Sequence, residues 1–261
     1  MGGALGWLVY ALSPTYRQHV LAHASLAGVS ARARRLSVAH AGKLVAELPR
    51  LWLGAPVSVR MEGAAHIEAA HAAGCGILFL TPHMGCFEIT ARAYAERFGQ
   101  TTGKGMTVLF RPARQRWLRE VVAASRARPG LDTAPTTLAG VKQLIKTLRS
   151  GGAVGLLPDQ VPPEGMGAWA TFFGQPAYTM TLSARLAHTP GVVVLLAWGE
   201  RLPAGRGYVV HVQPWGGDPL PTDPQQAAQA INRAMEGLIL QAPDQYLWGY
   251  ARYKQPRGMP T

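Results

Sequence analysis

Eight consecutive residues, Thr81-Pro82-His83-Met84-Gly85-Cys86-Phe87-Glu88, hold the residue types that activate a hydroxyl. An imidazole with one nitrogen fixed by a carboxylate keeps the other free to take a proton, the base-plus-orienter logic of acyl-transfer catalysts. His83 and Glu88 lie five apart, about 140° around a regular helix. They meet only if His83 occupies a loop and Glu88 the first turn of the helix after it. Pro82 and Gly85 suit such a loop, and amides at the helix start would favour a developing oxyanion. A helix-start glutamate beside an incidental histidine would show the same spacing, so the pair gains its weight from what surrounds it.

The octapeptide follows a buried apolar run, 76–81. Phe110-Arg111-Pro112 follows a second run at 106–110, and Pro158-Asp159-Gln160 a third at 153–157. In open α/β sheets, ligands bind beyond the carboxyl ends of the strands. Arg111 alone reads as a surface cation and Asp159 alone as a turn former. Together the three motifs converge on one crevice, where Arg111 would pair with Glu88 and Asp159 and keep both ionised. Other chemistries lack their residues. There is no Gly-x-Ser-x-Gly elbow, and Gly99 with Gly103-Lys104-Gly105 falls short of a phosphate-binding loop. His66 and His71 miss the four-residue spacing of a helical zinc pair, and no Cys-x-x-Cys exists, so neither a metal nor a cofactor is expected.

The elements that must position these residues alternate in type. Strands are predicted at 57–61, 76–81, 106–110, 153–157, 192–198 and 208–212. Helices are predicted at 64–73, 87–97, 113–127, 138–150, 180–188 and 224–241, with a Pro/Gly-rich loop over 158–176. This order predicts an α/β fold, a mostly parallel mixed sheet flanked by helices. We divide the chain into N-terminal amphipathic helices, 1–55, and an α/β domain, 56–261. Ser13-Pro14 and Ser30 are capping signals for helices in the first part, the second of them running to about Leu53.

The 261 residues are 48% hydrophobic and only 15% charged, against about 25% charged in soluble domains generally, which excludes a disordered chain. Cys75 and Cys86 are too few for a disulfide scaffold and read as reduced thiols. The net charge of +12 is concentrated. Arg17, Arg32, Arg34, Arg35, Lys43, Arg50 and Arg60 face only Glu47. Lys104, Arg111, Arg114, Arg116, Arg119, Arg126 and Arg128 face only Glu120, and the rest of the chain is neutral on balance. Such segments attract phosphate in lipids, nucleic acids or acidic carrier proteins. A high-GC genome that favours Arg codons would produce a similar excess. No nucleic-acid module accompanies the charge, so no nucleic-acid partner is expected. No stretch reaches the roughly 18 apolar residues of a membrane span, and residues 5–12 stop at Ser13-Pro14 without a signal cleavage site. The basic, apolar-faced helix over 30–53 suits an anionic membrane surface as well as packing on the domain.

The ordered set His83-x4-Glu88, Arg111-Pro112, Pro158-Asp159-Gln160, Phe172-Phe173-Gly174 and Gln245-Tyr246-Leu247-Trp248 resembles the bacterial lipid A biosynthesis acyltransferases, lauroyl and myristoyl types. The resemblance covers roughly residues 5–255. It implies a glycerolipid-acyltransferase-like fold and transfer of an acyl group from an acyl carrier protein or coenzyme A thioester to a hydroxyl of a lipid acceptor. On that resemblance His83 is the general base and Glu88 its orienting carboxylate. Arg111 stands at the phosphate end of the site, Asp159 and Gln160 flank it, and Phe172 and Phe173 form an apolar rim near the acyl chain. Arg252, in the C-terminal signature Arg252-Tyr253-Lys254, is carried over as substrate-binding.

The chain departs from the family pattern in three places. Cys86-Phe87 replaces the usual Asn-Trp, and Phe110 replaces a Tyr, changes that bear on the acceptor. Only residues 5–12 stand where many members have a spanning helix. That implies peripheral or monotopic attachment at the cytoplasmic face of the bacterial inner membrane. Three readings stay open: acyl transfer to a lipid A precursor, the same chemistry on a lysophospholipid or ornithine lipid, and a non-catalytic binder of anionic lipid or nucleic acid.

Overall fold

A computed structural model describes residues 2–55, 57–110 and 129–258. The N-terminal part forms three helices, α1 (Gly2–Leu12), α2 (Pro14–Leu26) and α3 (Ala31–Leu53). The capping signals operate as expected. Ser13 Oγ accepts from the Tyr16 amide and Ser30 Oγ from the Ala33 amide, which satisfies donors at the two helix starts. α1 lies against α3 backbone to backbone: a Cβ on Gly42 would come within 2.2 Å of the Gly6 nitrogen. No helix among the described residues is long and apolar enough to cross a membrane.

The rest builds an α/β body. Strands β1 (Val59–Glu62), β2 (Gly76–Leu80), β3 (Met106–Phe110), β4 (Leu131–Pro135), β5 (Ala153–Leu156), β8 (Val192–Arg201) and β9 (Tyr208–Pro214) form one sheet in the order β1-β9-β8-β2-β5-β3-β4. All neighbours pair in parallel except β8 with β9. β6 (Gly167–Phe172) and β7 (Gln175–Met180) make a separate antiparallel hairpin. The longer helices are α4 (Ala64–Ala72), α5 (Phe87–Tyr94), α6 (Leu138–Arg149), α7 (Leu182–Ala187) and α8 (Pro224–Gln241), and α5 continues into a π-helical turn, Ala95–Gly99.

β2 is buried at every residue, and successive side chains of a strand point to opposite faces. Ile77 and Phe79 pack with Ile67 of α4 and Ile89 and Tyr94 of α5. Leu78 and Leu80 pack on the other face with Leu144 of α6, Ile231 and Met235 of α8, and Val20 and Val38 of the N-terminal helices. A strand covered on both faces explains why GILFL reads as an unbroken apolar run rather than an alternating one.

Two features differ from the sequence expectation. The loop predicted over 158–176 contains β6 and the start of β7, joined at Phe173 and Gly174, both with positive φ (44° and 77°). β4 also goes unpredicted, because LDTAP carries Asp and Pro and buries only Leu131 and Ala134. It is an edge strand, where Pro is tolerated. The basic helix predicted at 113–127 lies outside the described residues.

Candidate active site

β2 and β5 are parallel neighbours with Leu80 opposite Leu156. Three residues beyond that pair, the two chains reach His83 and Asp159, and the shared register brings them together. The Asp159 carboxylate takes both groups His83 offers: the backbone amide at 2.9 Å and ring Nδ1 at 2.7 Å. A carboxylate at Nδ1 fixes the tautomer with its proton there and leaves Nε2 as the basic nitrogen.

Asp159 is 1% exposed. Burial opposes its ionisation, yet the charge and hydrogen bonds of His83, with Arg252 behind, hold its carboxyl below the ordinary range. Tyr246 packs on the same carboxylate. Its phenol is pushed far up by burial first and by Asp159 second, so it stays a neutral donor.

The loop carrying His83 is tied from several sides. The Gly85 amide donates to the Gln245 carbonyl at 2.8 Å, the Cys86 amide to the Gly199 carbonyl at 2.7 Å, and the Leu247 amide to the His83 carbonyl at 3.2 Å. Gly85 has φ +58°, and a Cβ there would stand 1.9 Å from the Gly199 carbonyl oxygen, so only glycine fits. α5 starts two residues later, with Glu88 in its first turn and the Phe87 ring 5.0 Å from the imidazole. His83, Phe87 and Glu88 line a cavity of about 230 Å³ whose other walls are mostly apolar, including Phe79, Met106, Val108 and Gly155.

Residues 35–255 match the family described as bacterial lipid A biosynthesis acyltransferase. The chain belongs to that family. It is 28% identical over 204 residues to the lipid A biosynthesis lauroyltransferase of Escherichia coli, a match covering 76% of this chain and 63% of that protein. It is 26% identical over 186 residues to a lipid A biosynthesis acyltransferase of Haemophilus influenzae, covering 71% and 56%. With the lipid A biosynthesis palmitoleoyltransferase of E. coli it shares 25% identity over 218 residues, covering 82% and 68%. The matches thus span less than two thirds of the first two relatives' length.

In this member of the family, the carboxylate at the orienting nitrogen of His83 is Asp159, where the spacing pointed to Glu88. The reason is topological: strand pairing carries Asp159 to the imidazole, while Glu88 enters the same cavity from the start of α5. Gln160 sits partly buried in the turn beside Asp159. Arg252, expected at the substrate, is buried behind the site. It donates to the Tyr178 carbonyl at 2.7 Å and Thr179 Oγ1 at 2.6 Å, and its guanidinium lies 5.0 Å from the centre of the Phe172 ring. Phe172 and Phe173, expected as an apolar rim, lie away from the walls of the His83 cavity, with Phe172 in the core and Phe173 packed on Trp248. Arg111 lies outside the described residues.

Cys86 is fully buried, and burial, followed by Glu47, pushes its thiol far above the normal range. It is a packed side chain and not a nucleophile. Two residues the sequence reading missed also serve the site. Tyr246 stood in a recognised motif without an assigned role. Gln245 ties the loop through its backbone, a contact that local sequence does not encode.

Proposed function

We propose that this protein transfers a fatty acyl group from an acyl thioester to a hydroxyl of a lipid acceptor, with a lipid A precursor as the acceptor. The observation that carries the reading is His83 locked by Nδ1 onto a buried carboxylate while lining an apolar cavity. Nε2 of His83 accepts the proton of the acceptor hydroxyl as its oxygen attacks the thioester carbonyl. The tetrahedral intermediate then expels the thiolate, which recovers that proton from the imidazolium, so no net proton is gained or lost. Asp159 stabilises the transient imidazolium, and the α5 N-terminus adds partial positive charge beside the developing oxyanion. Glu88 is a carboxylate in the cavity wall itself, whereas Asp159 stands behind His83. In this reading the apolar walls take the acyl chain, and the body adopts a glycerolipid-acyltransferase-like arrangement. Acyl carrier protein and coenzyme A are both donors compatible with the basic segments.

Membrane association is part of the same proposal. α1 exposes Leu5, Leu8, Val9 and Leu12, positions that fall on one face of a helix. We read this face, with the basic α3, as peripheral attachment to the inner membrane. Relatives named for lauroyl and palmitoleoyl transfer in lipid A biosynthesis favour the fatty donor and the lipid A acceptor. Mass spectrometry of lipids from cells with and without the gene tests the assignment. A lipid A lighter by one acyl group supports it. A change confined to lysophospholipid or ornithine-lipid products moves the acceptor to the rival reading, and an unchanged lipid profile refutes acyl transfer in the cell.

A further inference from the structure

Arg201, at the end of β8, is 8% exposed and uses every side of its guanidinium. Nε donates to Glu47 Oε2 at 2.7 Å, Nη2 donates both to Glu47 Oε1 and to the Gly85 carbonyl at 2.9 Å, and Nη1 meets His40 Nδ1 at 3.0 Å. Its backbone is clamped as well: the Arg201 amide donates to Gln245 Oε1 at 2.9 Å, and Gln245 Nε2 donates to the Arg201 carbonyl at 3.2 Å. Gln245 also holds the Gly85 amide. The two peptide groups that flank the Gly85 Cα are therefore both anchored, two residues from the imidazole.

A buried ion pair gives little net stability against an apolar replacement, so a pair this complete calls for another role. Glu47 also accepts from the Tyr208 hydroxyl at 3.0 Å, which fixes its carboxylate for the guanidinium. We infer that Arg201, held by Glu47 of α3, is a positioning residue that fixes the Gly85 carbonyl and thereby the His83 loop against Asp159. This inference rests on the proposed role of His83. Arg201 touches no reacting atom; it acts by keeping His83 within hydrogen-bond geometry of a carboxylate in the turn after β5.

Arg201→Lys keeps the charge but cannot serve Glu47, His40 and Gly85 together. The expected result is a fall of about 10²-fold in kcat, the cost of a misplacement near 1 Å, with the donor KM unchanged. In an Asp159→Asn background the same substitution should cost less than about threefold, because the geometry it protects is already lost. Equal losses in the two backgrounds, or full kcat in the single variant, overturn the inference.

A readout independent of turnover separates this inference from the function beneath it. The Nδ1 proton of His83, observed by NMR on isotope-labelled protein, should be sharp in the wild type and in an Arg206→Lys control and broadened by exchange in Arg201→Lys. A sharp signal in Arg201→Lys overturns the inference. Absence of acyl transfer by the wild type, with the signals behaving as expected, refutes only the proposed function.

Discussion

Gly155 sets the room in the cavity, and filling it should shorten the acyl chain the protein prefers. It lies on β5 in register with Phe79 on one side and Val108 on the other, and all three line the cavity. A Cβ at this position would meet Val108 Cγ1 at 3.3 Å and Met106 Sδ at 3.7 Å, both ends of side chains that can yield slightly. Val108 must yield by a few tenths of an ångström to admit a side chain here, and the added methyl groups then enter space that an acyl chain would occupy. Gly155→Val should displace about two methylenes of the longest chain accommodated. At about 0.8 kcal/mol per buried methylene, the loss is about 1.6 kcal/mol for that chain and nothing for one two carbons shorter. The ratio of kcat/KM values for the two donors should therefore move about 15-fold towards the shorter. The assay is competition between mixed acyl donors of defined length, with products resolved by mass. An unchanged ratio, or equal loss for every chain length, would refute the placement of the acyl chain in this cavity.

Asp159→Asn should lower kcat by about 10³- to 10⁴-fold with little change in KM, because the amide no longer stabilises the imidazolium or fixes its tautomer; steady-state kinetics checks it. Leu8→Glu with Leu12→Glu should weaken binding to anionic vesicles by at least about tenfold, since each fully buried Leu is worth about 1.5–3 kcal/mol. Vesicle cosedimentation measures that loss, and secondary structure should be unaltered. His40 is lowered to about 4, chiefly by burial and further by Lys43 and Arg201. A base depressed in the folded state binds its proton more readily when unfolded. The stability linked to it is present above pH 6.5 and is lost as pH falls towards 4. Denaturant unfolding at stepped pH should show that slope, and His40→Gln should flatten it.

The residues that read clearly from the chain were those whose neighbours in sequence are also neighbours in space. β3 and α8 appear at their predicted limits because MTVLF is a compact apolar run and α8 has Asp223 capping the Gln226 amide before a regular apolar stripe. The hairpin at 167–180 was hidden because small residues and Pro176 obscure its alternation. Its turn signal, a glycine after Phe173, is strong only once the flanking strands are recognised. The site was half legible. His83 stood out through its loop and the helix after it. Its carboxylate partner is 76 residues away, and nothing local to Asp159 tells a turn former from a group that grips an imidazole. Only the pairing of β2 with β5 does so. Arg201 and Glu47 were hidden for the same reason, being 154 residues apart and joined where α3 crosses the end of β8.

The most direct test is acyl transfer by purified protein. Wild type and His83→Ala are compared in mixed micelles containing an acyl-acyl carrier protein and a lipid A precursor, with product detected by mass. The account predicts one added acyl group with the wild type. It predicts loss of transfer in His83→Ala, with folding and vesicle binding unchanged. Full transfer by His83→Ala would contradict the account at its centre.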